Sequence, residues 1–224
     1  WGSGLIYSRL LRNADADSAS LVECEICHSW EFVDSEKLRI TLRSDVMWQN
    51  IAPLNGRRLV ASDVAFSLER QRGPGNPNGD LLAGISAITT VDDRTLELEF
   101  VSGGLDADLL LNLADGRTRM VAPEIVAIHG DLLRGPNIGS GPWIWIDTTS
   151  QTAAYDRNPD YFESGTPDID GLQISYIPQA STRNAAFRVG LLDFVDASGE
   201  ETAKALKNLP GITSKLVSDF GTGA

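Results

Sequence analysis

In residues 38–43, Leu-Arg-Ile-Thr-Leu-Arg, every second position is apolar. This period of two predicts a β-strand with one buried face. After a loop, Ser62 stands where a helix N-cap is expected, and Asp63 follows in the first turn, where a carboxylate suits the helix dipole. Val64 and Leu68 then lie on one side of a short helix. The stretch therefore predicts a strand, a loop and a capped helix, and none of its residues has the pattern of a catalyst.

Similar patterns continue along the chain. Residues 34–37 predict a tight turn, so the segment before them should pair with the strand at 38–43 as a hairpin. A second hairpin is predicted from residues 85–91 and 95–101, since the latter alternates apolar and acidic positions. Further helices are expected at 106–113, in a segment that begins at Pro123, at 181–189 and at 200–208. Further strands are expected at 143–146, in a partner segment that ends at about 155, and at 172–176, 191–195 and 212–217. Helices mixed with hairpins predict an α/β (mixed α+β) fold.

The composition limits the functions that this fold can serve. With 224 residues, 42% of them apolar, the chain can form one large domain or two small ones. Its formal net charge of −12 argues against binding to nucleic acids and to anionic membrane surfaces. The acidity can serve solubility alone, and the alternative is a preference for cationic or neutral solutes.

Targeting signals are absent from the sequence. No apolar run reaches the roughly 20 residues that a membrane helix requires, and no charged start leads into an apolar stretch. The chain begins at Trp1 without a methionine. These features predict a processed product or an excised piece whose targeting segment has been removed.

Cys24, Cys27 and His28 form a C-x-x-C-H motif, which is typical of covalent haem c attachment. His28 would be one axial ligand, and the second would come from Met47, Met120 or His129. A disulfide within a turn, or two partly buried thiols, is the alternative interpretation. A structural zinc site would need a fourth ligand that the local sequence does not provide.

The residues give no pattern for an enzyme. There is no G-x-S-x-G nucleophile motif. His28 and His129 are the two histidines, and neither lies near a nucleophile motif in the sequence. We therefore expect no catalytic residues and no catalytic metal.

Several short segments occur in a characteristic order. They are SWE at 29–31, LR at 42–43, Gly56, ASDVAFSLER at 61–70, VDDRTL at 91–96, GSGPW at 139–143, RNPDYF at 157–162 and AAFRVGLLD at 185–193. In this order and spacing the chain resembles the family 5 extracellular solute-binding proteins, the oligopeptide-, dipeptide- and nickel-binding proteins of ABC importers. Ser140 and Trp143 replace the threonine and tyrosine of the family's G-T-G-P-Y signature.

The resemblance implies a lobe of the type II periplasmic-binding-protein kind, with a mixed sheet, hairpins and flanking helices. Residues 1–40 would begin the first lobe, 41–135 would form its hairpin and helix subdomain, and 136–224 would return to its main sheet. The chain would end near the crossover to a second lobe that it does not contain. It would thus be a fragment covering most of the first lobe.

The implied function is the capture of a peptide or other small solute between two lobes and its delivery to a membrane permease. Such a protein is not an enzyme, needs no cofactor, binds no nucleic acid and is a monomer at full length. It would be periplasmic or extracytoplasmic, with a lipid anchor on a preceding segment as a further expectation. The alternatives are a c-type haem carrier for electron transfer, through Cys24, Cys27 and His28, and a sensor with the same fold.

The solute is expected on three segments of the lobe. The candidates come from the Tyr7 region, from the loop at residues 75–80 and from the turn at 139–143, because loops on a rigid scaffold commonly carry recognition. They are Tyr7, Asn76, Asn78, Asp80, Ser140 and Trp143. Cys24 and Cys27 are the candidates for a disulfide. A single lobe would offer only half of a cleft, so the chain alone should bind solute weakly or not at all.

Overall fold

The computed structural model describes residues 3–14, 18, 20–101, 108–130, 132, 135–196, 204, 206–207 and 209–214. The chain divides into two compact units. The larger one comprises residues 1–149 and 153–174, and the smaller one comprises residues 150–152 and 175–224.

The helices and strands alternate along the chain, and most of the strands are joined as hairpins. The helices are α1 (Ser3–Ile6), α2 (Ala61–Arg72), α3 (Leu109–Ala114), α4 (Pro123–His129) and α5 (Ala180–Arg188), with a 3₁₀ turn at Gly79–Leu82. The strands are β1 (Leu11–Asn13), β2 (Val22–Cys24), β3 (Cys27–Asp34), β4 (Lys37–Leu42), β5 (Ile85–Thr90), β6 (Thr95–Phe100), β7 (Trp143–Thr148), β8 (Thr152–Arg157) and β9 (Gly171–Ser175). The predicted mixed fold is confirmed.

The strands form three sheets. A four-stranded antiparallel sheet has the order β3-β4-β6-β5 and contains both predicted hairpins, which are confirmed. β1 pairs with β2 in a small antiparallel sheet. The third sheet has the order β7-β8-β9, and β7 and β8 are antiparallel.

The main core lies where α2 packs on the four-stranded sheet. Leu38, Ile40 and Leu42 of β4 are buried, and Leu96 and Leu98 of β6 lie beside them. Each such leucine or isoleucine contributes about 1.5–3 kcal/mol when fully buried. The alternation in the sequence therefore identified the buried face of this sheet correctly.

The N-terminus of α2 differs from the prediction. The N-cap is Val60, which has an extended backbone, and Ser62 lies inside the helix with its side chain exposed. The prediction of Ser62 as the N-cap is wrong. Asp63, the third residue of the helix, makes the capping contact instead: its Oδ2 accepts a hydrogen bond from the N–H of the N-cap Val60 at 3.1 Å.

The predictions for the C-terminal part of the chain are confirmed only in part. The buried strand predicted at 191–195 is wrong, because the structure has no strand there and Leu191 and Phe194 are 76% and 83% exposed. α5 matches its prediction, although none of its residues is buried. Lys204, Leu206 and Lys207 are helical, and the rest of the predicted helix at 200–208 lies outside the described residues. Residues 212–214 are not in a strand, and 215–217 also lie outside the described residues.

None of the helices in the described part of the chain is long and apolar enough to cross a membrane.

Candidate functional site

The second half of α2 is held against residues 118–121, which lead into α4. Ser67 Oγ accepts a hydrogen bond from the Val121 N–H at 2.9 Å. Gln71 Nε2 donates to Thr118 Oγ1 at 3.3 Å. These buried contacts fix one side of α2, because buried polar groups are costly when left unpaired.

The segment around Tyr7 is attached to the same place. The Met120 N–H donates to the Ser8 carbonyl at 2.9 Å, and Tyr7 belongs to a small apolar cluster with Val121 and Trp143. Tyr7 is therefore brought next to the face of α2 that carries Ser67 and Gln71.

The turn at residues 139–143 packs on the backbone of Ile6. The Gly141 N–H donates to the Ile6 carbonyl at 2.7 Å. Gly139 lies so close that a Cβ there would collide with the Ile6 carbonyl oxygen. The buried Gln49 side chain joins the two ends of the turn, since its Oε1 accepts from the Gly139 N–H at 3.3 Å and its Nε2 donates to the Trp143 carbonyl at 2.8 Å.

Of the residues in these contacts, Tyr7, Ser67, Gln71 and Val121 line a cavity of about 250 Å³. Its wall comes from α2, from the loop that follows it, from residues 117–121 and from the Tyr7 segment. Most of the side chains that line it are polar. They are Tyr7, Ser67, Arg70, Gln71, Asn76, Asn78, Arg117, Arg119, Val121, Leu132 and Asn137.

A second depression of about 370 Å³ is lined by the same loop and by residues up to Ile85. Its lining includes Arg72, Asn76 and Asp80, and Asn76 lines both depressions.

The structure brings three of the predicted site residues together. Tyr7, Asn76 and Asn78 line the cavity, whereas Asp80 is exposed and lines the second depression. Ser140 and Trp143 line neither. Ser140 is 1% exposed and its hydroxyl has no hydrogen-bond partner among the described residues.

Three cationic residues of the cavity were not predicted as site residues. Arg70, Arg117 and Arg119 all line it. Arg70 occurs in the segment that carries the family resemblance, and Arg117 and Arg119 are two residues apart in an otherwise acidic chain. The close spacing of Arg117 and Arg119 in the sequence could have indicated a cationic site. That Arg70 lines the same cavity depends on the tertiary structure.

Burial shifts the pKa of two groups at the cavity. Burial raises the pKa of Tyr7, and the positive charges of Arg119 and Arg70 act in the opposite direction. Burial and the neighbouring charge of Arg9 lower the pKa of Arg119. Tyr7 is therefore a neutral phenol near pH 7, able to donate a hydrogen bond.

Cys24 and Cys27 are joined by a disulfide in the structure. A cysteine in a disulfide has no thiol to form a thioether, so in this state the motif cannot attach haem covalently. His28 is exposed. Among the residues that the structure describes, no group of three or more His, Cys, Asp or Glu side chains is arranged to hold a metal ion.

Comparison with known proteins gives the class. The fold is that of periplasmic binding proteins: the agropinic acid complex of the binding protein AgaA from A. tumefaciens R10 superposes with a TM-score of 0.82 at 23% identity, over 93% of this chain and 41% of that one. Residues 22–223 match the family model described as bacterial extracellular solute-binding proteins, family 5 Middle. The chain belongs to this family, as the sequence motifs predicted.

Two curated relatives are similar over most of the chain. Heme-binding protein A of Haemophilus influenzae is 26% identical over 212 residues, which cover 85% of this chain and 38% of that protein. The nickel-binding periplasmic protein of Escherichia coli K12 is 26% identical over 175 residues, covering 76% and 32% respectively. The chain thus spans less than half the length of the relatives that it matches.

Proposed function

We propose that this chain belongs to the solute-binding component of an ABC import system and supplies most of its first lobe. The family match over residues 22–223 carries the proposal. In this function a solute is held between two lobes, and the closed form docks on a membrane permease, so that the solute biases an equilibrium between open and closed forms.

The size of the cavity supports a shared site. Its volume of about 250 Å³ is below the roughly 300–1,000 Å³ of complete small-molecule pockets. A second lobe, from the part of the relatives' length that this chain does not match, would close over it and complete the enclosure. The domain ranges 1–40, 41–135 and 136–224 of the first lobe belong to this proposal.

The names of the relatives support a small solute. They are called heme-binding and nickel-binding, and the structural neighbour AgaA was solved with agropinic acid. We propose that Tyr7, Asn76 and Asn78 contact the solute. Contact of the solute with Asp80, Ser140 or Trp143 stays a prediction from the sequence. The protein would act in the periplasm, without catalysis and without nucleic acid, as a monomer.

Mass spectrometry of the protein purified from its own periplasm tests the proposal. We expect a small molecule to remain bound through native purification and to be released on denaturation. Protein unfolded and refolded without solute is the control, and the released compound should raise its melting temperature. Deletion of the gene should then abolish uptake of that compound. Uptake that is unchanged in the deletion strain would contradict the proposal.

A further inference from the structure

Among the residues that the structure describes, the charged side chains lining the cavity all have the same sign. Arg70, Arg117 and Arg119 contribute three guanidinium groups, and the described lining residues include no carboxylate. This local charge is opposite to the formal net charge of −12 of the whole chain. The acidity of the chain suggested a preference for cationic or neutral solutes, whereas the cavity would repel a cation.

Arg70 is the cation with the clearest capacity to bind a ligand. Its side chain forms no ion pair with any residue that the structure describes, although it is only partly exposed. Arg117 differs, because its guanidinium makes two hydrogen bonds of 2.9 Å to the Asp115 carboxylate. The positive charge of Arg70 is therefore not neutralised by the described protein.

The neutral groups of the cavity add hydrogen-bond donors. Asn76 Oδ1 accepts from the Asn78 N–H at 3.0 Å, which leaves the Asn76 amide N–H groups for a ligand. The phenol of Tyr7 is the second donor, and Arg119 lies close enough to influence it. Guanidinium, amide and phenol donors together match the oxygens of an anion.

We propose that the solute of this site carries an anionic group, a carboxylate or a phosphate, which Arg70 binds together with Arg119, Tyr7 and Asn76. The inference rests on the proposed solute-binding function and names the chemical class of the solute.

Titration of the chain, followed by ¹H–¹⁵N correlation spectra, tests this class directly. The probes are succinate, inorganic phosphate and succinamide, the neutral diamide that resembles succinate in shape. Sodium chloride keeps the ionic strength constant, so that general screening does not differ between samples. We expect succinate or phosphate to shift the amide signals of residues 70–78 and 117–121, and succinamide to leave them unchanged. The anion that binds with the higher affinity identifies the anionic group of the solute.

Two matched arginine variants locate the interaction. In Arg70→Gln we expect the affinity for the active anion to fall about tenfold, as for the loss of a charged hydrogen bond. Arg58→Gln removes the same charge from an exposed residue that lines neither depression. It should change the affinity by less than about twofold. Arg70→Lys keeps the positive charge and should recover part of the loss.

The outcomes separate the solute class from the capture function. Equal shifts with succinamide and succinate would overturn the anionic class, while capture of a neutral solute would still agree with the proposed function. Unchanged anion binding in Arg70→Gln, or no shift with either anion, would also overturn the anionic class. The copurification and uptake experiments test the capture of a solute independently of its chemical class.

Discussion

Asp63 receives four hydrogen bonds at the start of α2. Its carboxylate accepts from Trp48 Nε1 at 3.0 Å, from the Val60 N–H at 3.1 Å and from two nitrogens of Arg57 at 2.7 and 2.9 Å. The residue is only 3% exposed. One buried carboxylate thus caps the helix and joins it to the loop that precedes it.

Asp63→Ala should therefore destabilise the protein by about 3 kcal/mol, because it leaves the Arg57 charge and the Trp48 N–H without their acceptor. Ser62→Ala is the matched control at the neighbouring position. It should change stability by less than about 0.5 kcal/mol, since Ser62 is exposed and does not cap the helix. Urea denaturation measures the free energy of unfolding of both variants. A larger loss of stability in Ser62→Ala than in Asp63→Ala would contradict the capping contact of Asp63.

Glu124 on α4 is paired with the same Arg57, through contacts of 2.6 and 2.7 Å. Hydrogen bonds from Arg57 hold the pKa of Glu124 below its ordinary value of 4.5 in the folded state. Folding therefore favours the ionised form. The ion pair of Glu124 with Arg57 stabilises the folded protein fully above the pKa that Glu124 has in the unfolded chain. This stabilisation is lost as the pH falls through the lower pKa of Glu124 in the folded state.

Glu124→Gln should consequently be less stable than the wild type at pH 7, by about 0.5–1 kcal/mol. The difference should shrink as the pH falls below about 4.5 toward 3. Denaturation midpoints across this range measure it. Glu36→Gln is the control, because Glu36 is exposed and has no ion pair with a described residue. A stability difference between Glu124→Gln and the wild type that does not depend on pH would refute stabilisation by the ionised Glu124 carboxylate.

At the scale of elements, the turn at residues 139–143 fixes the Tyr7 segment. Gly139 and Gly141 lie directly against the Ile6 backbone, where no side chain fits. This contact is between backbones, so its energy comes from close packing and from the hydrogen bond of Gly141 to Ile6.

Gly139→Ala should lower stability by about 2 kcal/mol, since the new methyl group forces the Ile6 backbone away. Gly116→Ala should be nearly neutral, because no atom lies within 4 Å of a Cβ at that position. Thermal unfolding of both variants checks the difference. Equal melting temperatures would show that the turn adapts without cost.

The elements with internal periodicity were the ones that the sequence predicted. β4 and β6 alternate because each has one buried face, and Pro123 opens α4 as expected. The apolar segment at 191–195 misled the prediction, because apolar composition alone does not provide a strand partner. The cavity was predicted only in part. Two of its asparagines, Asn76 and Asn78, lie in one conspicuous loop, whereas its arginines come from two distant segments that only folding brings together.

At the scale of the whole molecule, the chain matches 38% of the length of heme-binding protein A. If the second lobe supplies the rest of the solute contacts, these 224 residues alone should bind solute with a dissociation constant in the millimolar range, about −4 kcal/mol. Isothermal titration with the compound identified by mass spectrometry measures this, and the two-lobed protein is the positive control. Tight binding by the chain alone would contradict the shared site.

The disulfide also makes the cavity accessible to spectroscopy. The chain has two cysteines and both are in the bridge, so Pro77→Cys would introduce a single reactive thiol. Pro77 is exposed and lies between Asn76 and Asn78, which both line the cavity. An environment-sensitive fluorophore attached there would sit beside the bound solute, and the change in its emission would turn the protein into a sensor for the compound that it carries.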